Sequence, residues 1–327
     1  LLGCTGRSGQ SPDSVEISKY NVVWESPSED ATGQMPLGNG NIAAGVYAVE
    51  DGDLYLLLAK NDAFTYSGDI FKTGRVRISL YPNPFEKGKP FLQTLNLETG
   101  SVLIQGGDVQ LRIWADAHRP VYHVEVNSPE EITVSAEPEF WARFDACAFN
   151  NFDVTGDKVQ GVETSGPTQD VRVDREGHIV WYYAVGDRSV YAEDMEYYEA
   201  EEMISKFPDP YRYNTFGNLL ESPDLELNDG VLSGNGRQFD IRIHALTFQT
   251  PDSSDWIERI EQQANQPMDL KDDWEKHRQW WSDFWDRSWI TVSDNNLPAS
   301  ERDNFNGEGY ISKRTEKDGG ALVAQSY

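Results

Sequence analysis

From about Tyr20 to Thr250 the chain repeats short runs in which apolar and polar residues alternate, each run closed by Gly, Asn, Asp or Pro. A period of two puts one set of side chains on each face of a strand. Tyr122, Val124 and Val126 fall on one face and His123 and Glu125 on the other. Phe239, Ile241, Ile243 and Ala245 repeat the pattern, and Leu111 and Ile113 alternate with Arg112 and Trp114. Leu54 to Leu58 is almost continuously apolar, as in a strand covered on both faces. Gly106-Gly107-Asp108 and Asn228-Asp229-Gly230 carry turn chemistry, the second that of a tight hairpin. So many short strands without intervening amphipathic helices exclude a βαβ fold. They predict a mainly β molecule, a large antiparallel β-super-sandwich over residues 19–250.

The texture changes after Pro251. Asp252, Ser253 and Ser254 are N-cap candidates for a helix over Trp256 to Ala264. A second helix is expected from about Leu270 to Asp286, with Trp274, Trp281 and Trp285 on one stripe. That stripe reads as a packing face, with a sugar-stacking platform as the alternative. Ser288 to Val292 resembles a returning strand, Asn295 to Asn306 a polar loop, and Tyr310 to Tyr327 the opening of another amphipathic helix. Residues 251–294 are therefore expected to form a helical linker and 295–327 the start of a further helical unit.

Charge decides which partners are excluded. With 28 Lys+Arg against 55 Asp+Glu the formal net charge is −27, the wrong sign for nucleic acid or for an anionic lipid surface. Apolar residues at 38% and aromatics at 12% nonetheless supply a packed core rather than a disordered chain. Residues 1–18 are a Ser-, Gly- and Thr-rich tether, opened by Leu1-Leu2-Gly3-Cys4, which resembles the bacterial lipobox. Cys4 is the expected lipid attachment point, which places the protein in the cell envelope, periplasmic or on the outer surface. The second cysteine, Cys147, is then a small buried thiol, or else the partner of Cys4 in a disulfide. Two cysteines exclude a disulfide scaffold and a Cys-rich zinc site.

The common catalytic motifs are missing. No Walker-type phosphate loop, no dinucleotide fingerprint and no G-x-S-x-G elbow occurs. Gly38-Asn39-Gly40 and Gly234-Asn235-Gly236 read as turns. His118 and His123 would point to opposite faces of a regular strand, which is poor metal geometry, so neither a metal nor another cofactor is expected. The acidic run from Glu193 through Glu202 reads as a solvated face. Glycosidic cleavage needs two carboxylates in different protonation states, and spacing cannot single out a pair among 55 acids.

Several segments carry a family resemblance. Met35 to Gly45, reading MPLGNGNIAAG, resembles the opening motif of glycoside hydrolase family 95-type proteins. That group includes α-L-fucosidases and a Bacteroidetes branch described as domain of unknown function family 5703. Leu58 to Phe64 resembles the strand-end motif that follows, and Ile113 to Val121 a later strand–turn–strand motif. His277 to Trp289 resembles the family's linker helix, and Leu322 to Tyr327 the start of its helical barrel. The resemblance implies a β-super-sandwich, a helical linker and an (α/α)6 barrel in which a Glu acid and an Asp base invert the glycosidic centre. It carries no catalytic residue onto this chain, which reaches only the first barrel helix, so the fragment itself is expected to be inactive. The sequence departs from the fucosidase pattern at Asn61-Asp62-Ala63-Phe64, which favours the 5703 branch. Asn61 and Asp62 are candidates for the rim of the barrel's sugar pocket, or caps of a local turn.

Two functions follow. The chain is the non-catalytic N-terminal portion of a secreted glycoside hydrolase, bracing a barrel that binds carbohydrate. Alternatively it is a stand-alone carbohydrate-binding or structural lipoprotein, stacking sugars on Trp141 or on Trp181-Tyr182-Tyr183. A linker helix would leave its Trp stripe exposed in this chain, whereas a self-contained protein would bury it.

Overall fold

The structure, a computed structural model, describes residues 17–66, 68–139, 171–187 and 189–288. The strands are β1 Val22–Trp24, β2 Met35–Gly38, β3 Ile42–Ala48, β4 Asp53–Phe64, β5 Ile70–Tyr81, β6 Phe91–Asn96 and β7 Ser101–Gly106. They continue with β8 Val109–Ala115, β9 Val121–Glu139, β10 Val171–Arg175, β11 His178–Ala184, β12 Asn214–Glu221, β13 Glu226–Asn228 and β14 Val231–Gln249. Among the described residues the α-helices follow the same numbering, α1 Val190–Tyr197, α2 Ser253–Ala264 and α3 Leu270–Arg287. The molecule is mainly β, as the alternation predicts.

The 14 strands of the described residues belong to one antiparallel sheet that curls into a half-barrel. Its main path runs β1-β6-β7-β8-β9-β14-β12-β11-β10. Strand β9 makes the curl possible. Its first half pairs with β8 and its second half with β5, which leads on through β4 and β3 to β2. Strand β14 follows β9 along both halves, with a register shift between Gly236 and Gln238 where the pair bends. The core fills the inside of the curl, where Leu54, Leu56, Val76, Ile78, Ile104 and Ile113 come from both arms of the sheet.

Buried polar ends are satisfied across that core. The Tyr122 hydroxyl points between the carbonyls of Ala43 and Ala59, 2.9 Å from each, and burial pushes its pKa up. Trp181 Nε1 donates to Thr73 O at 2.7 Å, and Asn218 Nδ2 donates to the same oxygen at 2.8 Å. The Asn228-Asp229-Gly230 segment is a hairpin turn, with Asp229 and Gly230 both at positive φ (51° and 81°).

Two strand readings change. Leu54, Leu56 and Leu58 are buried, but Tyr55 and Leu57 are only half-buried, so β4 faces the core on one side alone. Conversely, β9 is buried on both faces over Val121–Val126, and His123 and Glu125 are 0% and 7% exposed. Trp114 of β8 stacks on His123 and donates to Glu125 there, and Trp274 and His277 of α3 pack in turn on Trp114.

Helix α2 is capped by Asp252, which accepts from Ser254 N at 2.9 Å. It buries Trp256, Ile257 and Ile260 against Val180, Tyr182 and Leu219. Helix α3 is capped by Asp269 and seats its Trp stripe on the rim of the sheet. The stripe is therefore seated on this chain's own sheet, the outcome expected of the self-contained alternative, and not left exposed as expected of a linker helix. Trp281 covers Gly100, Trp285 Nε1 donates to Leu97 O at 2.7 Å, and Trp274 meets Trp114 edge-on at 5.3 Å. Among the described residues no helix is long and apolar enough to cross a membrane. Cys4, Cys147, the returning strand after Ser288 and residues 295–327 lie outside the described residues.

Candidate functional site

Four segments far apart in sequence meet at one end of the sheet. The β2–β3 turn is closed by Asn39, whose Oδ1 accepts from the amides of Asn41 and Ile42, each at 2.9 Å. The other end of the same amide donates to Asp116 O at 2.6 Å and Arg119 O at 3.1 Å, in the β8–β9 turn. Asn61 in β4 reaches the first turn from the opposite side, with Nδ2 donating to Gly40 O at 2.9 Å. Helix α3 closes the set through His277, whose Nδ1 accepts from Ala117 N at 3.2 Å while Nε2 lies 2.8 Å from Thr99 O. These two contacts define the tautomer: Nδ1 is the acceptor and Nε2 carries the proton. His277 is fully buried, and that burial pushes its pKa down to about 4, so the ring is neutral near pH 7.

An ionic cluster surrounds the contact. Asp116 accepts from His118 N at 2.8 Å and from Arg119 Nε at 2.9 Å, and Arg119 also pairs with Asp273 of α3. Lys276 pairs with Asp272 at 2.6 Å, and Asp269 accepts from Lys271 N and Asp272 N at 3.1 and 3.0 Å. A cleft of about 420 Å³ opens here, lined in part by Asp116, His118, Arg119, Met268 and Lys276. Each aspartate around it is occupied by a cation or by the first amides of α3.

A second polar layer lies behind this one on the outer face of the sheet. Arg112 and Glu125 are register partners on β8 and β9, joined by bonds of 2.8 and 2.5 Å. Trp114 Nε1 donates to the same carboxylate at 2.9 Å, and His123 stacks on the Trp114 ring at 4.1 Å. The Arg112 guanidinium lies 4.1 Å from the Trp274 ring centroid, linking the layer to α3. On β14, Arg242 Nε donates to Asp240 Oδ2 at 2.7 Å, and on β12 Glu221 lies 3.0 Å from His244 Nε2. Burial alone would raise the Asp240 pKa, but contact with His123 and Arg242 outweighs it and holds the carboxyl low. Burial lowers the pKa of His244 against the pull of Glu221.

Chemically, both layers position and clamp. Asp30, Asp240 and Asp252 are held below the usual carboxylate range, the first and last by bonds from Thr32 and Ser254. A glycosidic acid needs the opposite shift. No group of three or more His, Cys, Asp or Glu among the described residues is placed to hold a metal.

Of the sequence candidates, Asn61 stands at the junction but outside the cleft lining. Asp62 points elsewhere, pairing with Lys60 at 2.6 Å, while its carbonyl accepts from Asn214 Nδ2 at 3.1 Å. Cys4 lies outside the described residues, as does Trp141. The Trp181-Tyr182-Tyr183 platform is corrected: at 2%, 8% and 4% exposed, these rings are buried, Trp181 in the main core, Tyr182 against Trp256 of α2 and Tyr183 against Phe216 of β12. Sequence reasoning missed Asn39, Asp116, Arg119 and His277 as a set. The available signal was that all four fall inside the family-like motifs, Asn39 in the first, Asp116 and Arg119 together in Ile113 to Val121, and His277 in the linker-helix motif.

Residues 23–290 match the N-terminal model of a family described as "Domain of unknown function (DUF5703)". No curated protein matches the chain. A solved structure titled "Putative kojibiose phosphorylase from human microbiome" aligns with 88% of this chain at 8% identity and a TM-score of 0.38. The chain spans 37% of that structure's length.

Proposed function

Since the chain belongs to the DUF5703 family, we propose that it forms the non-catalytic N-terminal β portion of a secreted glycoside hydrolase akin to family 95. Its role is to brace a helical catalytic barrel. On this reading the curled sheet contributes to a β-super-sandwich, residues 251–294 link it to the barrel, and 295–327 open the (α/α)6 barrel itself. Carbohydrate is the partner of the whole protein, and a lipid on Cys4 holds it to the cell envelope.

One observation carries the proposal, the commitment of every carboxylate lining the junction cleft. Asp116 and Asp273 serve Arg119, Asp272 serves Lys276, and Asp269 caps α3. A cleft whose lining carboxylates are all engaged in this way suits a seat for a helical unit better than a hydrolytic pocket. The match to an N-terminal family model supports the same reading.

Two measurements test it. The encoding reading frame is expected to run on well beyond Tyr327, and a stop codon there sinks the proposal. The purified 327-residue chain is expected to release no chromophore from an aryl α-L-fucoside or galactoside. Steady turnover by that chain overturns the assignment of catalysis to residues outside it.

A further inference from the structure

Far from the junction, at the free edge of the sheet, Trp24 ends strand β1 with 40% of its surface exposed. Its indole is fixed, because Nε1 donates to Gly33 O at 3.0 Å. Beside it lies a cleft of about 400 Å³, lined by Trp24, Glu25, Ser26, Pro27, Ser28 and Gly33. The walls are held by structure already in place. Ser28 N donates to Ala48 O at 2.8 Å and bridges Val49, and Asp30 caps the short helical turn Ala31–Gly33. Gly33 is required here, since a methyl group at that position would overlap Ser28 Oγ. By contrast, the Glu25 carboxylate and the Ser26 hydroxyl are exposed and make no hydrogen bond or ion pair among the described residues.

A rigid aromatic face next to unspent acceptors and donors is an amphipathic surface of fixed shape. We propose that this cleft is a non-catalytic binding subsite for a neutral sugar residue. The C–H face of a pyranose stacks on the Trp24 ring, and its hydroxyls bond to Glu25 and Ser26. The lining contains no cation and the chain carries a net charge of −27, so uronic-acid polymers are repelled. Fixed walls lower the ordering cost of binding, which favours a small ligand. That the hydroxylic ligand is a sugar rests on the glycoside reading above.

The test is native affinity electrophoresis of the 327-residue chain through gels containing xyloglucan, galactomannan, hydroxyethylcellulose or polygalacturonate. Retardation is expected in at least one neutral polysaccharide and not in polygalacturonate. Trp24→Ala is expected to weaken it at least about tenfold, and Trp24→Phe less. Glu25→Ala alters an exposed, unpaired side chain and so leaves the fold intact; it is expected to weaken binding at least about threefold. Free migration of the wild-type chain in every neutral gel overturns the proposal, as does equal retardation of Glu25→Ala and wild type. Retardation only in polygalacturonate overturns it too. The readout is separate from that of the glycoside reading: retardation with a stop codon after Tyr327 leaves the subsite standing, and a continuing frame without retardation leaves the bracing role standing.

Discussion

Asn39 uses both ends of one amide to join two turns, which no other side chain type of its size can do in a single orientation. Asn39→Ala leaves two carbonyls of the β8–β9 turn without their donor and should cost about 2 kcal/mol. Asn39→Asp should cost more, because a carboxylate faces those carbonyls and cannot donate to them. Urea midpoints of the two variants check the order; an Asp variant as stable as wild type would rule out the bridging role. Glycine at position 100 makes a similar single-residue demand. It sits at a φ of 55° directly under the Trp281 indole, which a methyl group would overlap. Gly107 has the same φ of 55° with open space around it. Gly107→Ala should therefore cost only the left-handed backbone, about 1 kcal/mol. Gly100→Ala should add the overpacking penalty, for roughly 2–4 kcal/mol in total. Equal losses at the two sites would mean that Trp281 does not press on the turn.

At the scale of the element, α3 holds its place through one row of side chains. Trp274, His277, Trp281 and Trp285 contact Trp114, Ala117, Gly100 and Leu97 in turn along the rim. Trp281 is the most buried of the tryptophans in this row, so Trp281→Ala should cost about 3–5 kcal/mol. Trp280 is only half-buried and stacks on Phe284 of its own helix, so Trp280→Ala should cost clearly less. Amide exchange resolved by peptide should rise across α3 in the Trp281 variant while β9 and β14 stay protected. Uniform loss of protection would show that α3 does not open as a separate unit. The stripe itself was readable from the spacing of Trp274, Trp281 and Trp285. The partner was not, because the rim it meets is assembled from turns after β6 and β8, well over a hundred residues earlier.

For the whole molecule, the buried neutral histidines give stability a pH dependence with a definite sign. In the unfolded chain His277 protonates near the ordinary histidine value of 6.5, while in the fold it stays neutral until about pH 4. Between those values the unfolded state binds more protons, so stability falls as pH falls through that window. The loss amounts to about 3 kcal/mol by pH 4. His244 is shifted in the same direction and adds to it, whereas the lowered Asp240 matters only below the carboxylate range. The urea midpoint should drop between pH 7 and pH 4.5, and His277→Gln should flatten that drop. A wild-type midpoint constant across the window would refute neutral burial of His277. Within this molecule, whatever depends on neighbours along the chain was determined by the sequence alone. The alternation in β9 and β14, the Asp229-Gly230 turn, the Asp252 cap and the helical stripe of α3 each follow from side-chain periodicity or local backbone preference. Only the tertiary structure decided that β9 would be buried on both faces, that Trp181 to Tyr183 would be core, and that Asn39, Asn61, Asp116 and His277 would share one junction. Those outcomes depend on which arms of a curled sheet come together, and a strand's own pattern does not encode its distant neighbour.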